Sequence, residues 1–442
     1  MTLRLRKKVR VFSLLFHVRA LDNVSSERVV LIFEDKHDSY GLCVRVLDMG
    51  STKVVCLAVK VNDEGVPEVI GVGYKPSEGI NGGAIVNKQS AGCSVLSSID
   101  LAEQVSAQTI SQVYVTVSGC GVKSSNISNE VLSNVHEISE RDIRRIMLQT
   151  YEKFSGEDIA IHNVPMAYHL DNLSNITELE GLYGSKLRAD VHAVTVSKLA
   201  LVNIEQCITS NNLMMGGCVA ESYASGLACM TDDERELGTL VIDMGSNYTS
   251  MGFFYKGKYE HADCIPFGGH HITRDVSYGL CVSLKDAESI KVTHGSTMLF
   301  SSEDDYPIEI CDVDGELKCV TKADIASIIR PRVEEILEFV KSRVDEHRNV
   351  VSKVVITGGC SKLLGIEKVA SSILNRQVRV GTPINLKGMW PEYVGKPEMS
   401  AAVGSAMLIA RTFYKRQCTK NNSHHPGSLE KVLRWIITKV EA

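Results

Sequence analysis

The sequence predicts an α/β fold built twice over, with a small α+β insertion in its first half and an amphipathic helix at its C-terminus. The duplication rests on a repeat. Leu47-Asp48-Met49-Gly50-Ser51-Thr52-Lys53 and Ile242-Asp243-Met244-Gly245-Ser246-Asn247-Tyr248 nearly match, and each lies between a strand-like run (Val44-Arg45-Val46; Thr239-Leu240-Val241) and a second apolar run. That is the pattern of a β-hairpin whose turn carries Asp, Gly and hydroxyl residues. The insertion rests on a change of texture between about residues 120 and 190, and the helix on apolar residues at helical spacing near the end of the chain.

The paired turns have the chemistry of a phosphate clamp. A Gly at the tip lets backbone N–H groups approach an anion, and the residues after it add side-chain donors. The Asp at the strand end repels phosphate, so it belongs there only if a divalent cation lies between them or if it orients water. A third segment, Val354-Val355-Ile356-Thr357-Gly358-Gly359-Cys360-Ser361-Lys362-Leu363-Leu364-Gly365, reads as a buried strand, a Gly-Gly turn and a new helix. A flat ring such as adenine can lie directly on a backbone without Cβ atoms. Leu284 to Lys291 reads as helical and sets Glu288 and Lys291 three apart on one face, in reach of a ribose and a base. Taken alone, that pair reads equally as a solvated, salt-bridged helix face.

The elements follow in order. Residues 1–40 carry Arg4, Arg6, Lys7, Lys8, Arg10 and Arg19 around the run Val11-Phe12-Ser13-Leu14-Leu15-Phe16, which is too short for a signal-peptide core. They read as a poorly ordered extension or a misassigned start, with a basic membrane-surface segment as the alternative. Strand-like runs at 42–48, 53–61 and 68–74, the stretch Gly79 to Gly83, a helix around 87–108 and the strand Val113 to Val117 make the first part of domain 1, residues 41–119. In the insertion, residues 120–190, Ser139 caps a helix running to about Tyr151, and Ile159-Ala160-Ile161-His162 follows. The strand Asp190 to Val196 is expected to rejoin the core and open the second part of domain 1, residues 191–235. Domain 2, residues 236–386, repeats the strand–turn–strand opening, with a small subdomain at about 277–345. A helix rich in small residues, Glu398 to Ala406, lies in a return to domain 1 over 387–412.

Residues 413–427 are polar and read as a linker. In 428–442, Ser428 can cap a helix in which Leu429, Val432, Leu433, Ile436, Ile437 and Val440 share an arc of roughly 140°. Trp435 and Lys439 lie beyond one edge and Arg434 beyond the other, as in a helix lying in a membrane interface. The rival reading docks this helix on the protein's own core.

Composition narrows the function classes. With 442 residues, 44% hydrophobic and 23% charged, the chain is an ordinary globular sequence with more than one core. A net charge of −5 and a pI near 6.2 give no support for a nucleic-acid partner. The 13 cysteines are scattered, with no C-x-x-C pair, which removes zinc-type spacing and fits a reduced cytosolic setting. No apolar stretch is long enough to span a bilayer.

The two D-x-G-S turns and the T-G-G-x-S-x-L-x-G segment resemble the phosphate and adenosine motifs of the superfamily of actin, heat-shock chaperones and sugar kinases. Glu221-Ser222-Tyr223-Ala224-Ser225-Gly226 and Lys396 to Gly404 resemble its two connecting helices. Within it, over about residues 42–412, the chain is most similar to the FtsA family of bacterial cell-division proteins. Gly73-Tyr74-Lys75-Pro76-Ser77-Glu78-Gly79-Ile80, Ile265-Pro266-Phe267-Gly268-Gly269 and the terminal helix carry that choice. The resemblance implies an actin-like (ribonuclease H-like) duplicated ATPase fold, with ATP and Mg2+ as cofactors and slow turnover at most. It also implies filaments of the protein itself on the lipid surface of the bacterial inner membrane, at its cytoplasmic face and at the division site. There the family anchors the FtsZ ring through the FtsZ C-terminal tail and helps recruit later divisome proteins.

Carried over, Asp48 and Asp243 hold magnesium through water, and Glu221 orients the attacking water. Gly50, Ser51, Thr52, Lys53, Gly245, Ser246 and Asn247 meet the phosphates; Gly268, Gly269, Glu288, Lys291, Gly358, Gly359 and Ser361 meet the rest of the nucleotide. Ala326 to Glu335 resembles the helix that meets the FtsZ tail, which points to Arg332 and Glu335. The family usually has Pro at the position of Ser222, and residues 1–40 have no counterpart in it. The rival from another class is an ATP-dependent kinase or phosphatase of the same fold. A kinase needs a general base and an acceptor cleft, and no dedicated motif for either is present. A heat-shock chaperone needs a peptide-binding domain, but only about 30 residues follow the nucleotide domain.

Overall fold

The computed structural model describes residues 43–423 apart from 63–64, 120, 155, 299–305 and 345–349. The expectations for residues 1–40 and for the helix at 428–442 lie outside the described residues. The first half is built from β1 (Cys43–Met49), β2 (Lys53–Val61), β3 (Pro67–Pro76), the short β4 (Ile80–Asn81) and β5 (Ala84–Ile85), α1 (Lys88–Ser106) and β6 (Gln112–Val117). An insertion follows: β7 (Lys123–Glu137), α2 (Glu140–Lys153), β8 (Asp158–Leu170), β9 (Leu173–Ile176) and β10 (Tyr183–Ser197). The first half then closes with α3 (Lys198–Thr209), β11 (Met214–Ala220) and α4 (Glu221–Cys229), and α5 (Asp232–Leu237) leads on.

The second half comprises β12 (Thr239–Met244), β13 (Thr249–Tyr255), β14 (Lys258–Ile265), α6 (Gly269–Leu280), α7 (Leu284–His294), β15 (Ile308–Cys311), β16 (Leu317–Val320) and α8 (Lys322–Val344). It ends with β17 (Lys353–Thr357), α9 (Ile366–Leu374) and β18 (Gln377–Val380), before α10 (Ser400–Ser423).

Two five-stranded sheets repeat one another. Their orders are β11-β6-β1-β2-β3 and β18-β17-β12-β13-β14. In each, a three-strand antiparallel meander is extended by two strands parallel to its first member. The duplication read from the two turns is therefore a duplication of topology. Strands β1 and β12 are central and almost wholly buried, which is why they read as continuous apolar runs. One apolar core, including Val46, Leu57, Val194 and Ala402, runs from the first half into the second through Val241, Phe254 and Val355, and another, including Ile242, Phe253, Ile329 and Ile356, lies within the second half.

The insertion is a four-stranded antiparallel sheet, β7-β10-β8-β9, with α2 on one face. Asp142 accepts hydrogen bonds from the Ser139 backbone N–H at 2.9 Å and from its hydroxyl at 2.6 Å, holding the start of α2 as the sequence predicts. One expectation is overturned: Asp190 to Val196 does not rejoin the core. It is the end of β10, paired along its length with β7 and β8, so the insertion continues to Ser197. The run looks like a core strand because both of its faces are covered. Val191 packs under α2, while Val194 and Val196 pack against the main body.

The linker boundary also moves. The helix begun at Ser400 continues to Ser423, past the expected end at 412. Phe413 meets Tyr114 edge-on at 5.8 Å, and Phe413 and Tyr414 both pack on the first-half core. The polar Lys, Arg and Gln that suggested a linker are good helix formers, and a helix already anchored by packing carries on through them.

Candidate functional site: the cleft between the two halves

Each D-x-G-S turn closes in the same way. Gly50 N–H donates to Lys53 O at 2.9 Å, and Gly245 N–H donates to Tyr248 O at 3.0 Å. Each Asp sits at the end of a central strand beside a threonine on the neighbouring parallel strand: Asp48 beside Thr116, Asp243 beside Thr357. Both threonines reach α10, with Thr116 Oγ1 to Ser405 Oγ at 3.0 Å and Thr357 Oγ1 to Ser400 Oγ at 2.7 Å. The two acidic strand ends thus lean on one helix that crosses between the halves, and α4 packs against the same helix.

The carboxylates differ in their partners. Lys53 Nζ donates to Asp48 Oδ2 at 2.8 Å. Burial alone would lower the Lys53 ammonium, but Asp48 in contact outweighs it and holds its pKa raised. Asp243 Oδ2 accepts from Ser225 Oγ at 2.5 Å, and Glu221 Oε2 accepts from Ser250 Oγ at 2.5 Å. Burial pushes the Asp243 and Glu221 pKa values up, Glu221 well up, and the mutual repulsion of the acids adds to it. Buried acids that resist ionising together are relieved by a hard cation. Among the described residues, no three His, Cys, Asp or Glu side chains are placed to hold a metal ion by themselves.

At the Gly-Gly turn, Gly358 passes so close to Asp243 that a Cβ there would lie 2.3 Å from its Oδ1, whereas a Cβ on Gly359 would meet nothing within 4 Å. The surface over Gly359 is open to a flat ring. Ser361 is turned inward, its hydroxyl donating to Gly358 O at 2.7 Å, so it shapes the turn rather than lining the cleft. Lys291 is buried and donates to Glu288 Oε2 at 2.7 Å, Thr273 Oγ1 at 2.9 Å and Gly269 O at 3.2 Å, while Glu288 stays half exposed. At the start of α6, Gly269 and His270 N–H donate to Gly245 O and Ser246 O at 2.9 and 2.7 Å. These two amides are therefore spent on holding the second turn. Arg332 lies on α8. Its Nε donates to Asp275 Oδ2 at 2.5 Å, and it also pairs with Glu335.

Several partners left no sign in the sequence. Ser222, which departs from the expected Pro, hydrogen-bonds Tyr259 through the two hydroxyls at 2.7 Å. Tyr259 stacks on Tyr223 with ring centroids 4.6 Å apart, and its carbonyl lies 2.7 Å from His192 Nδ1 of the insertion. His162, also from the insertion, accepts from Ala220 N–H at 2.9 Å, one residue before Glu221. Burial, with the neighbouring His192, lowers the His162 pKa to about 3.

The folded protein therefore keeps His162 neutral, while the unfolded chain takes up a proton below its ordinary value near 6.5. Stability from this residue is intact above that pH and drains away as pH falls toward 3. We expect a loss of about 2 kcal/mol between pH 6.5 and 5 from this histidine. Urea unfolding at both pH values should show a steeper loss in the parent than in His162→Gln. Equal slopes would refute it.

Comparison with known proteins agrees with this architecture. Solved structures of similar fold include the PilM-PilN type IV pilus biogenesis complex, with a TM-score of 0.59 at 16% identity over 83% of this chain and 98% of that one. MreB5 of Spiroplasma citri bound to ADP gives 0.52 at 13% identity over 85% and 98%. The duplicated sheets, the opposed acidic turns and the two crossing helices define an actin-like protein. The family model described as cell division protein FtsA matches residues 240–404, and the SHS2 domain inserted in FtsA matches residues 119–195. The Cell division protein FtsA of Agrobacterium fabrum is 36% identical over 379 residues, covering 82% of this chain and 85% of that one. That of Pseudomonas aeruginosa is 30% identical over 408 residues, covering 90% and 98%. The chain belongs to the FtsA family of cell-division proteins.

Proposed function

We propose that this chain binds ATP with Mg2+ in the cleft and assembles into filaments of itself. On this reading it tethers the FtsZ ring to the cytoplasmic face of the bacterial inner membrane and helps recruit later divisome proteins. The pair of opposed turns carries the nucleotide part: Asp48 and Asp243 end equivalent central strands, with Lys53, Glu221, Ser225 and Ser250 gathered around them. When bound, magnesium supplies charge neutralisation for the phosphates. The chain's own residues do the rest: the glycine turns present donors, Asp48 and Asp243 hold the metal's water, and Glu221 orients a water for slow hydrolysis. Arg332 and Glu335 on α8 offer a charged pair to the FtsZ tail.

No helix among the described residues is long and apolar enough to cross a membrane. The membrane part rests on the sequence of 428–442, where Leu429, Val432, Leu433, Ile436, Ile437 and Val440 form the apolar side and Trp435 lies beyond its edge. Each large apolar side chain buried at the interface contributes roughly 1.5–3 kcal/mol before ordering costs, so one tail binds only moderately. A polymer presenting many tails binds far more tightly, because each contact after the first is intramolecular. Liposome flotation at rising ATP is the test. The parent should float increasingly with ATP, and a Trp435→Glu, Ile436→Glu variant should stay at the bottom while still binding nucleotide. Equal flotation would overturn the tether.

A further inference from the structure

The glycine-rich stretch from Gly79 to Gly83 has no part in the nucleotide reading, yet it touches both phosphate turns. Its strands β4 and β5 pair Ile80 with Ile85 and Asn81 with Ala84, and the turn between them uses Gly82 and Gly83 at φ +58° and +73°. Toward the first turn, Gly82 N–H donates to Ser51 Oγ at 2.8 Å. Toward the second, Asn247 Nδ2 donates to Asn81 Oδ1 at 2.7 Å, across 166 positions of sequence. Tyr248 then lays its ring on the ribbon. A Cβ on Gly82 would lie 2.2 Å from Tyr248 Cε2, and one on Gly119 would lie 2.6 Å from Gly82 O and 3.6 Å from the same ring atom. Only a residue without a side chain lets the ring come so close.

The two turns are not equivalent in this respect. Lys53 and Tyr248 occupy matching positions, each with its carbonyl closing its turn. Lys53 turns inward to Asp48, whereas Tyr248 reaches across to the other half of the molecule. The side-chain amide of Asn247, expected on a phosphate, is engaged by Asn81 instead. Ser51 accepts from Gly82, so its own hydrogen remains free to donate to an anion.

We propose that Asn81, Gly82 and Tyr248 form a latch across the phosphate end of the cleft, positioning both turns and setting how long a nucleoside triphosphate stays bound. This rests on the nucleotide reading above and adds to it the residues that govern retention. A polyphosphate held between turns on separate halves leaves when the halves part, and the halves part more readily without the cross-cleft ring and amide. The effect therefore falls on release rather than capture.

The test is stopped-flow release of a fluorescent ATP analogue from the full chain with magnesium, chased by unlabelled ATP. Tyr248→Ala should release about tenfold faster than the parent, consistent with losing one packed aromatic contact. Tyr248→Phe, which keeps the ring, should return release to within about twofold of the parent, a rescue that general destabilisation would not produce. Asn81→Ala should speed release by a smaller factor. Unchanged release in Tyr248→Ala, or Tyr248→Phe releasing as fast as Tyr248→Ala, overturns the latch alone. A parent that binds no nucleotide overturns both the latch and the nucleotide reading, which keeps the two failures apart.

Discussion

Asp243→Asn should abolish magnesium-dependent ATP binding, by about a hundredfold or more in affinity, without lowering the melting temperature of the nucleotide-free protein at pH 7.5. The loss of binding follows, on the proposed reading, from removing one of the two carboxylates that would hold the metal's water, since a neutral amide is a poor partner for a hard dication. The retained stability follows from the sign of the pKa shift. Burial, with Asp48 nearby, raises the folded-state pKa of Asp243 above its ordinary value. A carboxyl raised in this way stabilises the fold at low pH, and that contribution is lost as pH rises through the folded value. At pH 7.5 the ionised group is therefore a liability in the empty site, and Asn keeps an oxygen for the Ser225 hydroxyl. Calorimetric titration with ATP and a thermal scan of the empty protein check the two halves of the statement. ATP affinity at the parent's level, or a clear drop in melting temperature, would contradict it. Asp48→Ala is the less clean experiment, because it leaves Lys53 nearly buried without its counter-charge.

Gly404→Ala should be among the most damaging single methyls in the described residues. A Cβ at Gly404 would lie 1.8 Å from Ala224 O, 2.4 Å from Ala224 C and 3.0 Å from its Cα, all backbone atoms of α4. No rotamer relieves that contact. The helices α4 and α10 must separate, and α10 also carries Ser400 and Ser405, which hold the threonines beside the two acidic strand ends. Overpacking of this kind costs about 3 kcal/mol or more, and here the cost falls on the helix pair that links the two halves. Soluble yield and denaturant midpoint should both fall sharply, whereas Ser405→Ala should cost only about 1 kcal/mol. A Gly404→Ala protein with the parent's midpoint would mean that the helices do not meet as described.

Much of the fold was legible because its signals are local. Alternating or continuous apolar runs mark β1, β2, β6, β12 and β17, and a D-x-G-S turn marks the joint between two strands wherever it occurs. Ser139 and Asp142 announce the start of α2 within four residues of each other. Gly358 announces a close approach for the same reason, since the missing side chain is itself the signal, while the space over Gly359 is open. Two boundaries escaped. The end of β10 has a core strand's composition because two different bodies cover its faces, and burial does not say by what. The polar end of α10 has a linker's composition, but the anchored turns before it keep it helical.

The sequence by itself determined the duplicated architecture, the two acidic turns and the Gly-Gly turn, because each depends on residues within a few positions of one another. Only the tertiary structure decided which side chain answers which. Lys53 pairs with Asp48, Ser225 with Asp243, Ser250 with Glu221 and Arg332 with Asp275, and Ser361 turns inward. It also decided that Asn247 and Tyr248 turn from their own half to a glycine ribbon on the other. The physical reason is that hydrogen bonds and ion pairs form between groups that topology brings within 3 Å or so, and such pairs leave no periodic trace along the chain.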